Sequence, residues 1–220
     1  MNSSSRSVLW PVLAATAAWS LCGCSISGGS DVMSVYQYTK TIFSPVPRVG
    51  LAEAAAAPYA SVGVRVGDSP EIMLILASED GQHDLWTSAA RIAITTVNGR
   101  IVRTSGLGHD LGGYELRREG KKENGATPLL WNADFPELGL YSVPISCSER
   151  TSGEETIVIL GRALHTLRTD ESCAAHYEKL DWSFTNTFWR DPQSGLAWRS
   201  IQHVNPELDS IEIDILRPPA

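Results

Sequence analysis

The feature that most constrains this chain is the tetrapeptide Leu21-Cys22-Gly23-Cys24, which closes a short apolar segment. It has the form of a lipobox: a Leu three residues before a cysteine, two small residues that let a signal peptidase bind extended backbone, and a thiol that accepts a diacylglyceryl group. The apolar segment at 8–21 has 14 residues, whereas a membrane-spanning helix needs about 20. We therefore predict a lipoprotein signal peptide at 1–23 and lipid attachment at Cys24.

Two other interpretations of this N-terminus stay open, an ordinary cleaved signal peptide and an uncleaved anchor. In the lipoprotein interpretation, residues 24–30 form a flexible tether rich in Ser and Gly. Ser25 is not the Asp that retains lipoproteins in the inner membrane of enteric-type bacteria, so by analogy we predict attachment to the outer membrane, facing the periplasm. The first expected partner is thus the membrane, through acyl chains that together anchor firmly.

Net charge and length limit the remaining possibilities. The formal charge is −7, and loss of the single positive charge of Arg6 with the signal peptide leaves −8 on the 197 residues from Cys24 onward. A surface of this sign repels phosphate backbones, so we predict no nucleic-acid partner. A chain of this length suits one domain with a sizeable core, and we predict a single β-rich domain over 31–220.

Cysteine usage agrees with an exported protein. Cys22 leaves with the signal peptide and Cys24 is acylated, which leaves Cys147 and Cys173 in an oxidising compartment. We hypothesise that these two form a disulfide. The alternative is two small buried thiols in the core.

Hydrophobic periodicity predicts mostly strands. Helical spacing at 31–43 and an Ala-rich segment at 51–57 predict one or two short N-terminal helices, and after residue 58 the period changes to two. The continuous apolar run at 72–77 predicts a central strand covered on both faces. Asn98-Gly99 predicts a type I′ hairpin between neighbouring strands.

Further strands are predicted in the second half of the chain, whereas 117–137 allows no assignment. Pro144 indicates an edge position or a bulge. The predicted segments are a hairpin of 141–147 with 156–160 across Thr151-Ser152-Gly153, and strands at 182–189, 198–204 and 211–215. Short strands at hairpin spacing predict a mainly antiparallel β fold, a curled sheet or barrel-like sandwich.

Motifs for chemistry are missing from the sequence. The five histidines are scattered without metal-ligand spacing, and no Gly-x-Ser-x-Gly elbow occurs. We therefore predict no catalytic residue, no metal and no cofactor. Aromatic residues crowd one terminal hairpin: Phe184 and Phe188 share a face and are predicted as core, whereas Trp189 and Trp198 are candidates for glycan contact.

Several short motifs are spread along nearly the whole mature chain. They are Pro58-Tyr59-Ala60-Ser61 before a strand with Arg65, Leu85-Trp86, Asn98-Gly99-Arg100-Ile101-Val102 with Thr104 and Gly106-Leu107, Asn186-x-Phe188-Trp189-x-Asp191, Trp198-Arg199-Ser200-x-Gln202, and Leu216-Arg217-Pro218. In this set the sequence resembles the YjbF/GfcB lipoproteins, found beside exopolysaccharide and group 4 capsule export genes of Gram-negative bacteria. The resemblance implies a predominantly β lipoprotein that serves polysaccharide assembly or export and has no known catalytic residues.

Together these observations predict a non-enzymatic outer-membrane lipoprotein, an accessory in exopolysaccharide or capsule assembly or export that binds the polymer or a partner envelope protein. Two alternatives remain. A carrier for lipid or lipoprotein would need a concave sheet around an apolar cavity of a few hundred Å³. A periplasmic glycan hydrolase would need two carboxylates across a cleft, roughly 5 to 9 Å apart.

Overall fold

The computed structural model describes residues 47–219; the predicted signal peptide, the tether with Cys24 and the helix at 31–43 lie outside this range. The described part begins with one short helix, α1 (Leu51–Ala56), which confirms the second predicted helix. No helix within these residues has the length and apolar character needed to cross a bilayer.

Twelve antiparallel strands follow α1 and form one sheet. They are β1 (Ser61–Val66), β2 (Ile72–Asp80), β3 (His83–Thr87), β4 (Ala93–Val97), β5 (Arg100–Ser105), β6 (Gly113–Glu119), β7 (Ala126–Phe135), β8 (Leu140–Ile159), β9 (Arg162–Tyr177), β10 (Leu180–Arg190), β11 (Ala197–Gln202) and β12 (Ile211–Arg217). A 3₁₀ turn, Pro136–Leu138, joins β7 to β8.

The sheet consists of two meanders joined at their middle. Strands β1 to β5 are consecutive neighbours, β12 back to β6 are likewise consecutive, and β1 pairs with β12. The two edge strands, β5 and β6, approach each other where Thr104 N donates to Leu111 O at 2.9 Å. The result is a nearly closed barrel-like sheet, which confirms the predicted fold class. We call the gap between the edge strands β5 and β6 the seam.

The interior of this sheet is filled by side chains rather than by a lumen. A round barrel of this many strands would enclose a ligand-sized space. Here β5 instead reaches β11 across the interior, because the Gln202 amide accepts from Ile101 N at 2.9 Å and donates to Gly99 O at 2.8 Å. Large aromatic side chains, among them Trp86, Phe135 and Phe188, are fully buried. A pocket among these core residues, bordered by Phe135 and Gln202, has about 10 Å³, room for one water molecule.

The strands covered on both faces are β1 and β12, not the predicted run at 72–77. In β2 only Leu74 is fully buried, and Ile75 is 38% exposed. The apolar run was a poor indicator because, among residues 47–219, the outer face of β2 is left partly exposed, whereas a layer of ion pairs covers the outer face of β1 and β12. Charged residues at Glu212 and Asp214 are consequently buried in β12.

The hairpin predicted around 151–153 is also wrong. Strand β8 continues through that segment, where the ladder shifts register between Thr151 and Gly153, and turns only at Leu160-Gly161. The far half of the β8–β9 hairpin packs its Ile157 and Ile159 against Trp189 in a second small core. Segment 117–137, for which no element was predicted, contributes to β6 and β7.

Candidate functional site

A buried ion pair spans the interior of the sheet. Arg100, the first residue of β5, donates from Nη1 and Nη2 to the two carboxylate oxygens of Glu171 on β9, at 2.8 and 2.9 Å. Asn186 Nδ2 on β10 donates to the same carboxylate at 3.1 Å, and Glu171 is fully buried. A bidentate pair of this kind holds β5, β9 and β10 at fixed positions.

Aromatic rings surround the guanidinium of Arg100. Tyr114 on β6 and Trp131 on β7 stack with ring centroids 4.6 Å apart, and Arg100 lies 4.5 Å from the Trp131 centroid and 4.9 Å from that of Phe188. Cation–π contacts of this geometry stabilise a charge that has left water. Burial raises the pKa of the Tyr114 hydroxyl well above its ordinary value, so this phenol stays protonated and neutral.

A second guanidinium lies close to the first but has no carboxylate of its own. Arg190, the last residue of β10, donates from Nη1 to the carbonyls of Asn98 at 2.9 Å and Gly195 at 3.2 Å. Within 47–219 no carboxylate lies within ion-pair distance of it. Burial, together with the charge of Arg100, lowers the pKa of Arg190, and the charges of Glu149 and Glu171 oppose this shift only in part. Electrostatically, Arg190 is therefore a partly desolvated cation beside another cation.

These two arginines border a groove of about 400 Å³. It lies at the seam, between the unpaired edge of β5 and that of β6. Its apolar wall includes Val102, Leu116 and the stacked pair of Tyr114 and Trp131. The groove thus combines cationic and apolar surfaces, a combination suited to an amphiphilic anionic ligand.

A separate ionic cluster covers the outer face of β1 and β12. Arg48 Nη1 contacts three carboxylates: Glu71 at 3.3 Å, Glu212 at 2.7 Å and Asp214 at 3.4 Å. Arg65 also pairs with Glu212, and Arg199 Nε lies 2.6 Å from Asp214. Because Val49 N donates to Glu71 Oε2 at 2.7 Å, the cluster fastens the segment that enters the sheet.

Glu212, the carboxylate of this cluster that pairs with both Arg48 and Arg65, does not have the properties of a hydrolase acid. A glycosidase needs one carboxyl whose pKa is raised, so that it can donate a proton. Burial opposes ionisation of Glu212, but hydrogen bonds from Arg48 and Arg65 outweigh it and hold the pKa of Glu212 below its ordinary value. Burial and the charge of Glu79 do raise the pKa of Asp84. Those two residues, however, are direct cross-strand partners of the β2–β3 ladder and do not face each other across a cleft.

The lowered pKa of Glu212 predicts a pH dependence of stability. The contribution of Glu212 to the free energy of unfolding is fully present above pH 4.5, which equals the ordinary pKa of the group. It is lost as the pH falls through the lower pKa of the folded state. We expect urea midpoints measured between about pH 5 and pH 3 to fall less steeply for Glu212→Gln than for the wild type. Glu154→Gln is the matched control, because that side chain is 74% exposed. Parallel curves for all three proteins would contradict the assignment.

The structure joins Cys147 and Cys173 in a disulfide, with a Cα–Cα distance of 4.1 Å. They are direct partners in the β8–β9 ladder, and each is 5% exposed. Together with Glu171 they form a cluster of three potential metal donors. Both sulfurs are committed to each other and the carboxylate to Arg100, so this cluster has no free donor set.

The two tryptophans predicted to contact glycan lie within packed surfaces. Trp189 is 8% exposed and its indole is covered by the β8–β9 hairpin, so the structure does not support it as a platform for a sugar ring. Trp198 is half-buried, and the guanidinium of Arg162 lies 4.9 Å from its ring centroid. Exposed apolar and aromatic surface is found instead in the groove at the seam, which was not predicted from the sequence.

Comparison with known proteins confirms the resemblance seen in the motifs. A family model described as "Group 4 capsule polysaccharide lipoprotein gfcB, YjbF" matches residues 40–216. The uncharacterized lipoprotein GfcB of Escherichia coli (strain K12) is 27% identical over 173 residues, which cover 74% of this chain and 78% of that protein. The crystal structure of the hypothetical lipoprotein YmcC from Escherichia coli (K12) has a TM-score of 0.61 at 20% identity and covers 84% of this chain and 96% of that one. The latter likeness shows a common fold.

Proposed function

We infer, from the premise that this chain belongs to the YjbF family of group 4 capsule polysaccharide lipoproteins, that it is a non-enzymatic accessory in capsule or exopolysaccharide assembly or export. It is held by acyl chains on Cys24 at the outer membrane, facing the periplasm. It acts there by binding the polymer or a partner envelope protein. The observation that carries this proposal is the family match, which extends over most of the chain.

The filled interior argues against a carrier that encloses an acyl chain inside the sheet, although the groove at the seam has about 400 Å³. An enclosed acyl chain would need a cavity of a few hundred Å³. The pocket among the core residues has about 10 Å³, and Gln202 links opposite walls through hydrogen bonds to β5. An acyl chain could enter only if these bonds broke and the core side chains moved apart.

The lipid tether supplies the physical basis of an accessory role. A domain confined to the membrane surface meets other confined components at a high effective concentration, so weak contacts are sufficient. Loss of the acyl chains would dilute the domain into the periplasm and weaken every such contact together. The tether and the binding surface are therefore expected to contribute separately to function.

The proposal is tested by deletion of the gene, with surface polysaccharide measured per cell. We expect the deletion to reduce surface polymer and the wild-type gene to restore it. The Cys24→Ser variant should lose palmitate labelling, leave the membrane fraction and fail to restore the polymer. Cys22→Ser is the matched control, because Cys22 leaves with the predicted signal peptide. Unchanged polymer in the deletion strain would refute the export role, and a Cys24→Ser variant that behaves like the wild type would refute the tether.

A further inference from the structure

The seam groove lies between the only two strand edges that the described sheet leaves unpaired, β5 and β6. Unpaired edges commonly accept an added peptide strand. Along the β5 edge, however, Ile101 N and the O atom of Gly99, the residue before β5, are bonded to Gln202, and Thr104 N is bonded to Leu111 O. Because these backbone groups are occupied, an extended peptide cannot build a regular ladder along β5. On the β5 side, the groove therefore favours a ligand that binds through its own charged, polar or apolar groups over a peptide that would bind as an added strand.

The groove is lined by two arginines, Arg100 and Arg190, and by one carboxylate, Glu115, which pairs with Arg117 at 3.3 Å. The two guanidiniums favour an anion. Arg100 is neutralised by a bidentate carboxylate, but Arg190 beside it bonds only to backbone carbonyls. Arg190 is partly desolvated, and the charges of Glu149 and Glu171 stabilise it from beyond ion-pair distance without a direct bond, so its cost of burial is only partly offset. A carboxylate matches the planar fork of a guanidinium and would offset this cost. The preference is local, since the chain as a whole carries −7.

The opposite wall favours a ring with apolar faces. Leu116 is 40% exposed on β6, and the stacked pair of Tyr114 and Trp131 lies beside it. Sugar rings present C–H groups on their faces and hydroxyls around their rim. Gln82 and Asn98, which also line the groove, place polar side chains within reach of such a rim. An apolar wall with a few polar groups is the usual composition of a small-ligand site.

We propose that this groove binds a carboxylate-bearing sugar of an acidic polysaccharide, with the carboxylate on Arg190 and the sugar ring against Leu116 and Tyr114. The proposal deepens the function proposed above and rests on its polymer-binding form. It assigns the polymer a chemical class, a chain that contains uronic acid residues. It also assigns a binding role to the groove at the seam.

The test is binding of defined oligosaccharides to the full acylated chain in detergent micelles, by calorimetry. The probes are tetragalacturonate, tetramannuronate, the methyl ester of the former, and galacturonate monomer. We expect at least one of the two acidic tetramers to bind, tenfold or more tightly than the ester, and the monomer to bind more weakly than the tetramer. Arg190→Gln should weaken acid binding by tenfold or more. Arg162→Gln, which removes an arginine from the β8–β9 hairpin, should leave it unchanged.

A second pair of variants keeps the test independent of folding effects at Arg190. Leu116 is partly exposed, so Leu116→Glu and Leu116→Gln should both fold. Only the Glu variant places a negative charge at the rim, and it should weaken binding of the acidic tetramer several-fold more than the Gln variant does. The proposal is overturned if neither acid binds, if acid and ester bind equally, or if the two Leu116 variants are equivalent. If one of these results is found and the deletion strain still has less surface polysaccharide, the groove is not the binding site. The accessory role proposed above would then still stand.

Discussion

Replacement of Glu171 with Ala is expected to lower the free energy of unfolding by about 3–5 kcal/mol. Glu171 is fully buried and is the carboxylate partner of Arg100. Its removal would leave the buried guanidinium of Arg100 without its carboxylate partner and beside a second guanidinium, Arg190, and would also leave Asn186 Nδ2 without its acceptor. The loss therefore combines an uncompensated buried charge with a broken hydrogen bond.

Urea unfolding of the full chain in detergent, followed by tryptophan fluorescence, measures this effect. The matched control is Glu154→Ala on the neighbouring strand, whose exposed side chain should cost no more than about 0.5 kcal/mol. The double variant Arg100→Met, Glu171→Leu removes both charges of the pair and should be more stable than Glu171→Ala alone, because Arg100 is no longer buried without its partner. A single variant as stable as the control would show that this pair does not hold β5 to β9.

Local signals in the sequence predicted much of the sheet correctly. The Asn98-Gly99 hairpin is confirmed, with positive φ angles of 52° and 78° at its two turn residues. Pro144 was expected at an edge or bulge, and it lies where β8 pairs with β7 but beyond the β9 ladder. Both signals depend on the conformation of one or two residues, so neighbouring sequence alone determines them.

The burial of the polar side of β12 depends on contacts between distant segments, which periodicity does not indicate. Strand β12 alternates Ile with Glu212 and Asp214, a pattern typical of one solvent-facing side. Its polar side is buried because Arg48, Arg65 and Arg199 arrive from other parts of the chain. Single-sequence periodicity records which residues alternate but not what covers each face.

The candidate groove was invisible to sequence reasoning for the same reason. Arg100, Arg190 and Trp131 lie far apart in the chain and meet only because the two meanders bring β5 next to β6. One clue was present: Glu171 falls in phase with Cys173 and Ala175, two residues that are buried on the same strand. A carboxylate at a core position of a strand predicts a buried cationic partner, but it does not identify which arginine supplies it.

Removal of the Cys147–Cys173 disulfide, by Cys147→Ala with Cys173→Ala, is expected to lower the free energy of unfolding by roughly 3 to 4 kcal/mol. The bond closes a loop with a sequence separation of 26. Most of its effect comes from restricting the unfolded chain, and this loop contains the whole far half of the β8–β9 hairpin. Packing adds a separate, smaller loss, because alanine leaves the space of each buried sulfur empty.

The same urea experiment with and without a reducing agent tests this expectation. Reduction should destabilise the wild type by a similar amount and leave the double alanine variant unchanged, which separates loss of the covalent bond from loss of sulfur packing. Protein produced in a reducing cytoplasm should resemble the reduced form, because the bond needs an oxidising compartment to form. If reduction leaves the wild-type midpoint unchanged and mass mapping finds both thiols free in protein from the periplasm, the two cysteines pack as separate core residues and the hairpin is held by its ladder alone.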